Sequence, residues 1–228
     1  TPIAEGGFTG AAIGMAMAGM RPIVEMMTWN FSFQAADQII QNAAKIRYFS
    51  GGQASVPLVI RGPNGGGVQL SAQHTHSLEG FYGHFPGLKV VAPATPYDAH
   101  GMMIEAIRDP DPVLILEAGA LYGTKGDVPD EEYTVPFGKS RIAREGTDVT
   151  LIGYGRQVNL LLKAAERLAK DEGVEAEVVD LRSIRPFDTE TIVDSVKKTN
   201  RAVVVEEQWR WFSVASEVAA HLAEHAFD

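Results

Sequence analysis

The chain has 228 residues, enough for one large or two modest domains. A formal net charge of −9 argues against a nucleic-acid binder, which would present a basic face. With no cysteine there are no disulfides and no thiolate metal sites, and no apolar run approaches the ~20 residues that span a membrane. No signal peptide is visible. The chain opens at Thr1-Pro2 without a methionine and stops at Asp228 directly off a predicted helix, so sequence is expected to be missing at both ends.

The first predicted helix begins at Glu5 and is built from small residues. Gly10 and Gly14 lie four apart and Ala18 continues the series, which puts them on one helical face. Glycine weakens a helix by ~1 kcal/mol relative to alanine, so a face without side chains argues for close approach of another helix. Glu5 stands at the entrance, where an acid suits the positive helix N-terminus. Arg21–Met27 reads as a short buried strand, and Thr28-Trp29-Asn30-Phe31 follows at its C-terminal end. Ligands gather at those ends in open α/β sheets. A helix is predicted from about Phe33 to Tyr48, with Phe33, Ala36, Ile40 and Ala43 as its apolar stripe.

Val56–Ile60 is the next predicted strand. The loop it feeds, Arg61–Gly67, is glycine-rich but lacks the Gly-Lys-Ser/Thr ending of a nucleotide loop, so it reads as a flexible turn near a site. Gln73-His74-Thr75-His76 follows, with His84 beyond. Two histidines two apart have no third ligand at a recognisable spacing, so a proton carrier is favoured over zinc. His100, His221 and His225 read as surface or hydrogen-bonded histidines. Leu88–Pro93 is a strand, and Thr95-Pro96-Tyr97-Asp98 is a capping box opening a helix to about Arg108. Asp109-Pro110-Asp111-Pro112 stops it, and Val113–Leu116 is buried strand. This alternation predicts a parallel sheet covered on both faces.

From Ala118 to Gly146, glycine, proline and charge dominate and periodicity is lost, as in a connection. A second α/β unit follows. Its strands are Asp148–Tyr154, Val174–Leu181 and Arg201–Val205. Its helices are Val158–Lys170, a segment opened by Pro186 and Asp188, and Ser213–Ala226. Gly153-Tyr154-Gly155 begins like a dinucleotide fingerprint, but Val158 stands at the third glycine position. Glu206-Glu207 with Trp209 and Trp211 reads either as solvated acids beside core aromatics or as a partner-docking surface.

Glu5, Gly10, Ala11, Gly14 and Met15 meet the spacing Glu-x4-Gly-apolar-x2-Gly-apolar, which resembles the motif of the pyrimidine-binding domain of thiamine-diphosphate enzymes. The likeness continues through Arg21–Phe33, Arg61–Gly65, Gln73-His74, Tyr82–Pro93, Ala106–Pro112 and Asp180–Pro186. From Thr1 to Asp228 the chain resembles the β subunit of the decarboxylating first component of 2-oxo acid dehydrogenase complexes, of the pyruvate dehydrogenase type, shortened at both ends.

That resemblance implies an α/β fold with a transketolase-like pyrimidine-binding domain over 1–120. A linker would cover 121–146, and a smaller, incomplete transketolase C-terminal domain 147–228. It implies that Glu5 hydrogen-bonds N1′ of the cofactor's aminopyrimidine, that Met27 and Phe31 line the pyrimidine pocket, and that His74 is the active-site histidine. It implies a potassium site at Leu58, Ala106, Asp109 and Asp111. No Gly-Asp-Gly segment is present to hold the Mg²⁺ and diphosphate of thiamine diphosphate, so those fall to a partner α subunit in an α2β2 heterotetramer. A second β subunit, a lipoyl acyltransferase core and a 2-oxo acid are the other implied partners, with neither nucleic acid nor membrane. The implied location is the bacterial cytoplasm or an organelle matrix. The implied reaction is decarboxylation of pyruvate with acylation of a lipoyl group. The alternatives are a branched-chain 2-oxo acid or acetoin dehydrogenase and, from another class, a non-catalytic docking subunit. A complete transketolase-like enzyme would need the diphosphate motif in the same chain.

Overall fold

Two sheets organise the chain in the computed structural model, which describes residues 1–227. The first half contains α1 (Glu5–Met17), β1 (Ile23–Glu25), α2 (Ile46–Phe49), β2 (Val59–Asn64), α3 (Glu79–Gly83), β3 (Lys89–Val91), α4 (Pro96–Arg108) and β4 (Val113–Ala118). Its strands pair in the order β1-β2-β4-β3, all parallel, with Val59 opposite both Ile23 and Val113. Both faces are covered, as the apolar strand sequences predict. Ile60, Val90, Leu114 and Leu116 pack with Met26 and Trp29 on one side. Val59, Val91, Val113 and Ile115 pack with Met102 and Ala106 on the other. The N-cap half of the expected capping box forms at α4: Thr95 Oγ1 accepts the Asp98 N–H at 3.1 Å, with proline at the first turn, while the Asp98 carboxylate takes the Thr95 hydroxyl at 2.7 Å.

The single helix predicted from Phe33 to Tyr48 is not what forms. Trp29–Ala35 is a tight 3₁₀ helix, Asp37–Ala43 a wide π helix, and α2 a short last turn. The buried stripe is therefore Trp29, Ser32 and Ala35 at intervals of three, then Ile39 and Ala43 at intervals of four. A 3₁₀ turn stacks residues three apart, so the stripe starts one residue off the α-helical expectation. Phe33 is left largely exposed.

The small-residue helix also packs differently from the reading. A Cβ at Gly6 would sit 3.1 Å from the Gln34 carbonyl oxygen, and one at Gly10 would sit 3.3 Å from the Gln38 side chain. Nothing lies within 4 Å of the position a Gly14 Cβ would take. The close contact is thus made by Gly6 and Gly10 against the 29–43 segment, and the Gly14–Ala18 end stays open.

The second half contains β5 (Arg141–Arg144), β6 (Val149–Gly153), α5 (Arg156–Glu172), β7 (Ala176–Asp180), β8 (Ser183–Arg185), α6 (Thr189–Thr199), β9 (Ala202–Val204) and α7 (Val214–His225). Its sheet runs β5-β7-β6-β9. Two features correct the expected 121–146 linker and 147–228 unit. β5 lies inside the supposed linker and pairs antiparallel with β7. Its Arg-Ile-Ala-Arg sequence suits a charged edge strand, which composition alone does not separate from loop. β8 leaves the second unit and pairs antiparallel with β3, becoming the edge of the first sheet.

The halves are also joined electrostatically. Asp98 at the start of α4 and Asp180 at the end of β7 are both fully buried. Arg182 reaches Asp98 at 2.6 Å, and Arg141 reaches Asp180 at 3.1 Å. Burial, with Asp98 adding repulsion, pushes the Asp180 carboxyl up to about 6.

Candidate active site where the sheets meet

Glu5 opens α1 and is 6% exposed. No side chain caps the helix, and the glycine-rich first turn rests on the backbone of Gln34. Its Oε2 is buried without a hydrogen-bond partner, as are Thr9 Oγ1 one turn on and Thr28 Oγ1 just past β1. Native interiors leave few such atoms, so an unpartnered carboxylate oxygen at a helix start marks a place for an external polar group.

The segment after β1 carries Phe31, whose ring meets His74 edge-on at 5.2 Å between centroids. The structure therefore brings together two of the predicted site residues from segments 43 positions apart in sequence. Met27 is 64% exposed and nothing in this chain covers it.

His76 is held more firmly than its predicted neighbour. The Asn30 amide meets His76 Nδ1, and its Oδ1 accepts the His76 backbone N–H at 3.4 Å. The backbone N–H of Gly65 donates to the His76 carbonyl at 3.0 Å. Asn64 bonds Leu78 N–H and Glu79. The histidine loop is thus pinned from the ends of both β1 and β2. Asn30, Asn64 and Glu79 are the residues that sequence reasoning did not single out as site residues, while His76 was read only as one of two candidate proton carriers. Asn30 and Asn64 sit just past the C-terminal ends of predicted strands, which was the available signal.

The glycine loop is not a free turn. A Cβ at Gly65 would lie 3.0 Å from Glu207 Oε2, and one at Gly67 would lie 2.7 Å from an Arg156 guanidinium nitrogen. Arg156 and Glu207 of the second half pair at 2.9 Å directly over it. Between the histidine loop and the segment after β9 lies a cleft of about 1280 Å³, walled by His76, Phe81, Phe85, Glu207, Trp209 and Phe212. Glu5, Phe31 and His74 do not line it. Trp209 and Trp211 are each 82% exposed, which excludes the core-aromatic reading.

The residues expected to hold potassium cluster at the C-terminal end of α4. Lys89 neutralises the Asp109 carboxylate, and Arg47 pairs with that of Asp111. The carbonyls of Leu58, Ala106 and Asp109 each accept one hydrogen bond, from Val113 N at 2.9 Å, Asp109 N at 3.3 Å and Arg21 at 3.1 Å. Each keeps a second lone pair, so a hard cation fits only through backbone oxygens.

Comparison with known proteins agrees with this fold. Residues 1–124 match the family described as transketolase, pyrimidine binding domain, and residues 138–228 match transketolase, C-terminal domain. A split-gene transketolase, described as an inactive β4 tetramer, superposes with a TM-score of 0.82 at 25% identity, over 98% of this chain and 70% of that one. The two family matches and the superposition thus define a two-domain transketolase-like chain. The chain is 51% identical over its whole length to the pyruvate dehydrogenase E1 component subunit β of Rickettsia felis, of which it covers 70%. It is 51% identical to the mitochondrial counterpart from Dictyostelium discoideum, covering 65%, and 50% identical to that of Bos taurus, covering 63%. The chain belongs to the family of pyruvate dehydrogenase E1 β subunits. Among the described residues no helix is long and apolar enough to cross a membrane.

Proposed function

We propose that this chain supplies the pyrimidine half of a thiamine-diphosphate site and, with an α subunit, decarboxylates pyruvate and acylates a lipoyl group. The observation that carries this reading is Glu5: a buried carboxylate oxygen without a partner, at the start of a helix seated on the segment that bears Phe31. An unpaired buried carboxylate is costly unless something shares a proton with it. A ring nitrogen able to carry that proton fits.

When bound, the cofactor supplies the electron sink that makes loss of carbon dioxide feasible. This chain's residues do the rest. Glu5 holds a proton on the pyrimidine and fixes its protonation state. Phe31 offers a ring face, and Met27 an apolar wall left uncovered here. His74, braced edge-on by Phe31, holds or delivers a proton at the reacting end. The chain has no Gly-Asp-Gly cradle, so Mg²⁺ and diphosphate belong to the α subunit. The open Gly14–Ala18 end of α1 and exposed Trp209, Trp211 and Phe212 are suited to contact with that subunit or a second β chain. The second lone pairs at Leu58, Ala106 and Asp109 are where potassium would bind. Pyruvate is preferred over branched-chain acids and acetoin because the named relatives are pyruvate dehydrogenases.

Glu5→Gln tests the reading in protein reconstituted with its α subunit. Decarboxylation should fall by on the order of 10²–10⁴-fold while assembly is retained, the range for losing a proton-transfer group. An unchanged rate in an assembled complex would return the chain to the docking-subunit reading.

A further inference from the structure

Glu79 is a buried acid beside the histidine loop that the proposed chemistry does not use. It opens α3, directly after the histidine loop, and is 7% exposed. Its Oε1 accepts Asn64 Nδ2 at 2.8 Å, and its Oε2 accepts Gln208 Nε2 at 3.2 Å. Asn64 cannot turn its amide around, because its Oδ1 already takes the Leu78 N–H at 3.2 Å. Gln208 comes from the other half of the molecule, past β9. Its Nε2 also donates to Tyr154 Oη at 3.0 Å, and Tyr154 in turn donates to Glu206 Oε2 at 3.2 Å. Glu206 Oε2 accepts the Ala215 N–H at the start of α7 at 3.1 Å. Every hydrogen in this chain of bonds is placed without conflict when Glu79 accepts at both oxygens.

The fit is tight. A Cβ at Gly80 would lie 2.6 Å from Gln208 Oε1 and 2.9 Å from the Phe212 carbonyl oxygen. Glycine in α3 is therefore what lets the second half come down onto the histidine loop. The charged groups facing the seam are Glu207, paired with Arg156, and Glu206 beyond Tyr154.

We propose that Glu79 is a positioning residue: its carboxylate clasps the histidine loop to the segment after β9, so that the second domain sets where His74 stands.

The inference rests on the function proposed above only for its catalytic readout, and the experiment separates the two. Hydrogen exchange of residues 71–80 is followed by mass spectrometry at one pH in the assembled full-length protein, for wild type, Glu79→Gln and Gln208→Ala. Glu79→Gln should exchange about tenfold faster than wild type, the equivalent of about one lost hydrogen bond. Gln208→Ala removes the contact from the other half of the molecule and should speed exchange by a similar factor. In the same samples, Glu79→Gln should lower kcat for pyruvate with KM unchanged. A loop that exchanges identically in all three proteins overturns the clasp, whether or not the complex decarboxylates. Altered exchange with an unaltered kcat reduces Glu79 to a structural residue and also overturns it. A wild-type complex inactive on every 2-oxo acid, with the exchange differences present, would refute the proposed function and leave the clasp standing.

Discussion

Glu79 has a consequence for stability with a definite sign. Its ordinary pKa is 4.5, and burial, opposed by the Asn64 and Gln208 donors, leaves it at about 7 in the folded chain. Below 4.5 both folded and unfolded chains hold the proton. Between 4.5 and about 7 the unfolded chain has released it and the folded chain has not, so stability falls as pH rises through that window. At 1.36 kcal/mol per unit the loss is on the order of 3 kcal/mol. Denaturant titrations at several pH values should show it in wild type, and Glu79→Gln should abolish it. The acid is kept at a cost in stability, as is common where a buried charge serves an adjacent site. Glu5 could be singled out from the sequence because it belongs to a short local pattern, and Phe31 because the family resemblance implied it. Glu79 could not, because its partners Asn64 and Gln208 lie 15 and 129 positions away.

At the level of elements, local chemistry decided where helices begin. The Thr95 N-cap formed as predicted, and Thr95→Ala should cost about 1 kcal/mol, measurable as a lowered denaturation midpoint. Asp188 likewise accepts the Thr191 N–H at 3.3 Å as the cap of α6. The 29–49 segment shows where local reading runs out. Ser32 Oγ and Tyr82 Oη lie 2.6 Å apart in the core, and Trp29 Nε1 donates to the Ile115 carbonyl at 3.2 Å. Those long-range bonds fit the 3₁₀ spacing of Trp29, Ser32 and Ala35, and they override a pattern that reads equally well as one α-helix. Gly80 makes a second element-level prediction. Gly80→Ala should raise helix propensity in α3 yet destabilise the protein, because the added methyl meets Gln208 and the Phe212 backbone. A higher melting temperature in that variant would show that the two halves do not approach as described.

For the whole molecule, the important structure is the seam between the halves. β8 donates a strand across it, and Asp98 with Arg182 closes it as a buried ion pair. Removing one charge of such a pair leaves the other uncompensated, which typically costs about 3 kcal/mol or more. Asp98→Asn should therefore lower unfolding free energy by roughly that amount in urea titrations, and a surface Asp130→Asn control should leave it unchanged. The sequence by itself determined the two α/β units, the parallel order of strand and helix, and the helix caps. Each of these depends on residues close together in the chain or on a periodicity that burial imposes. Only the tertiary structure decided that β5 and β8 are strands, that the helix after β1 breaks, and that Gln208 reaches Glu79. Edge pairing, buried hydrogen bonds and charges at a seam depend on which distant backbone arrives, and no local pattern of side chains encodes that arrival.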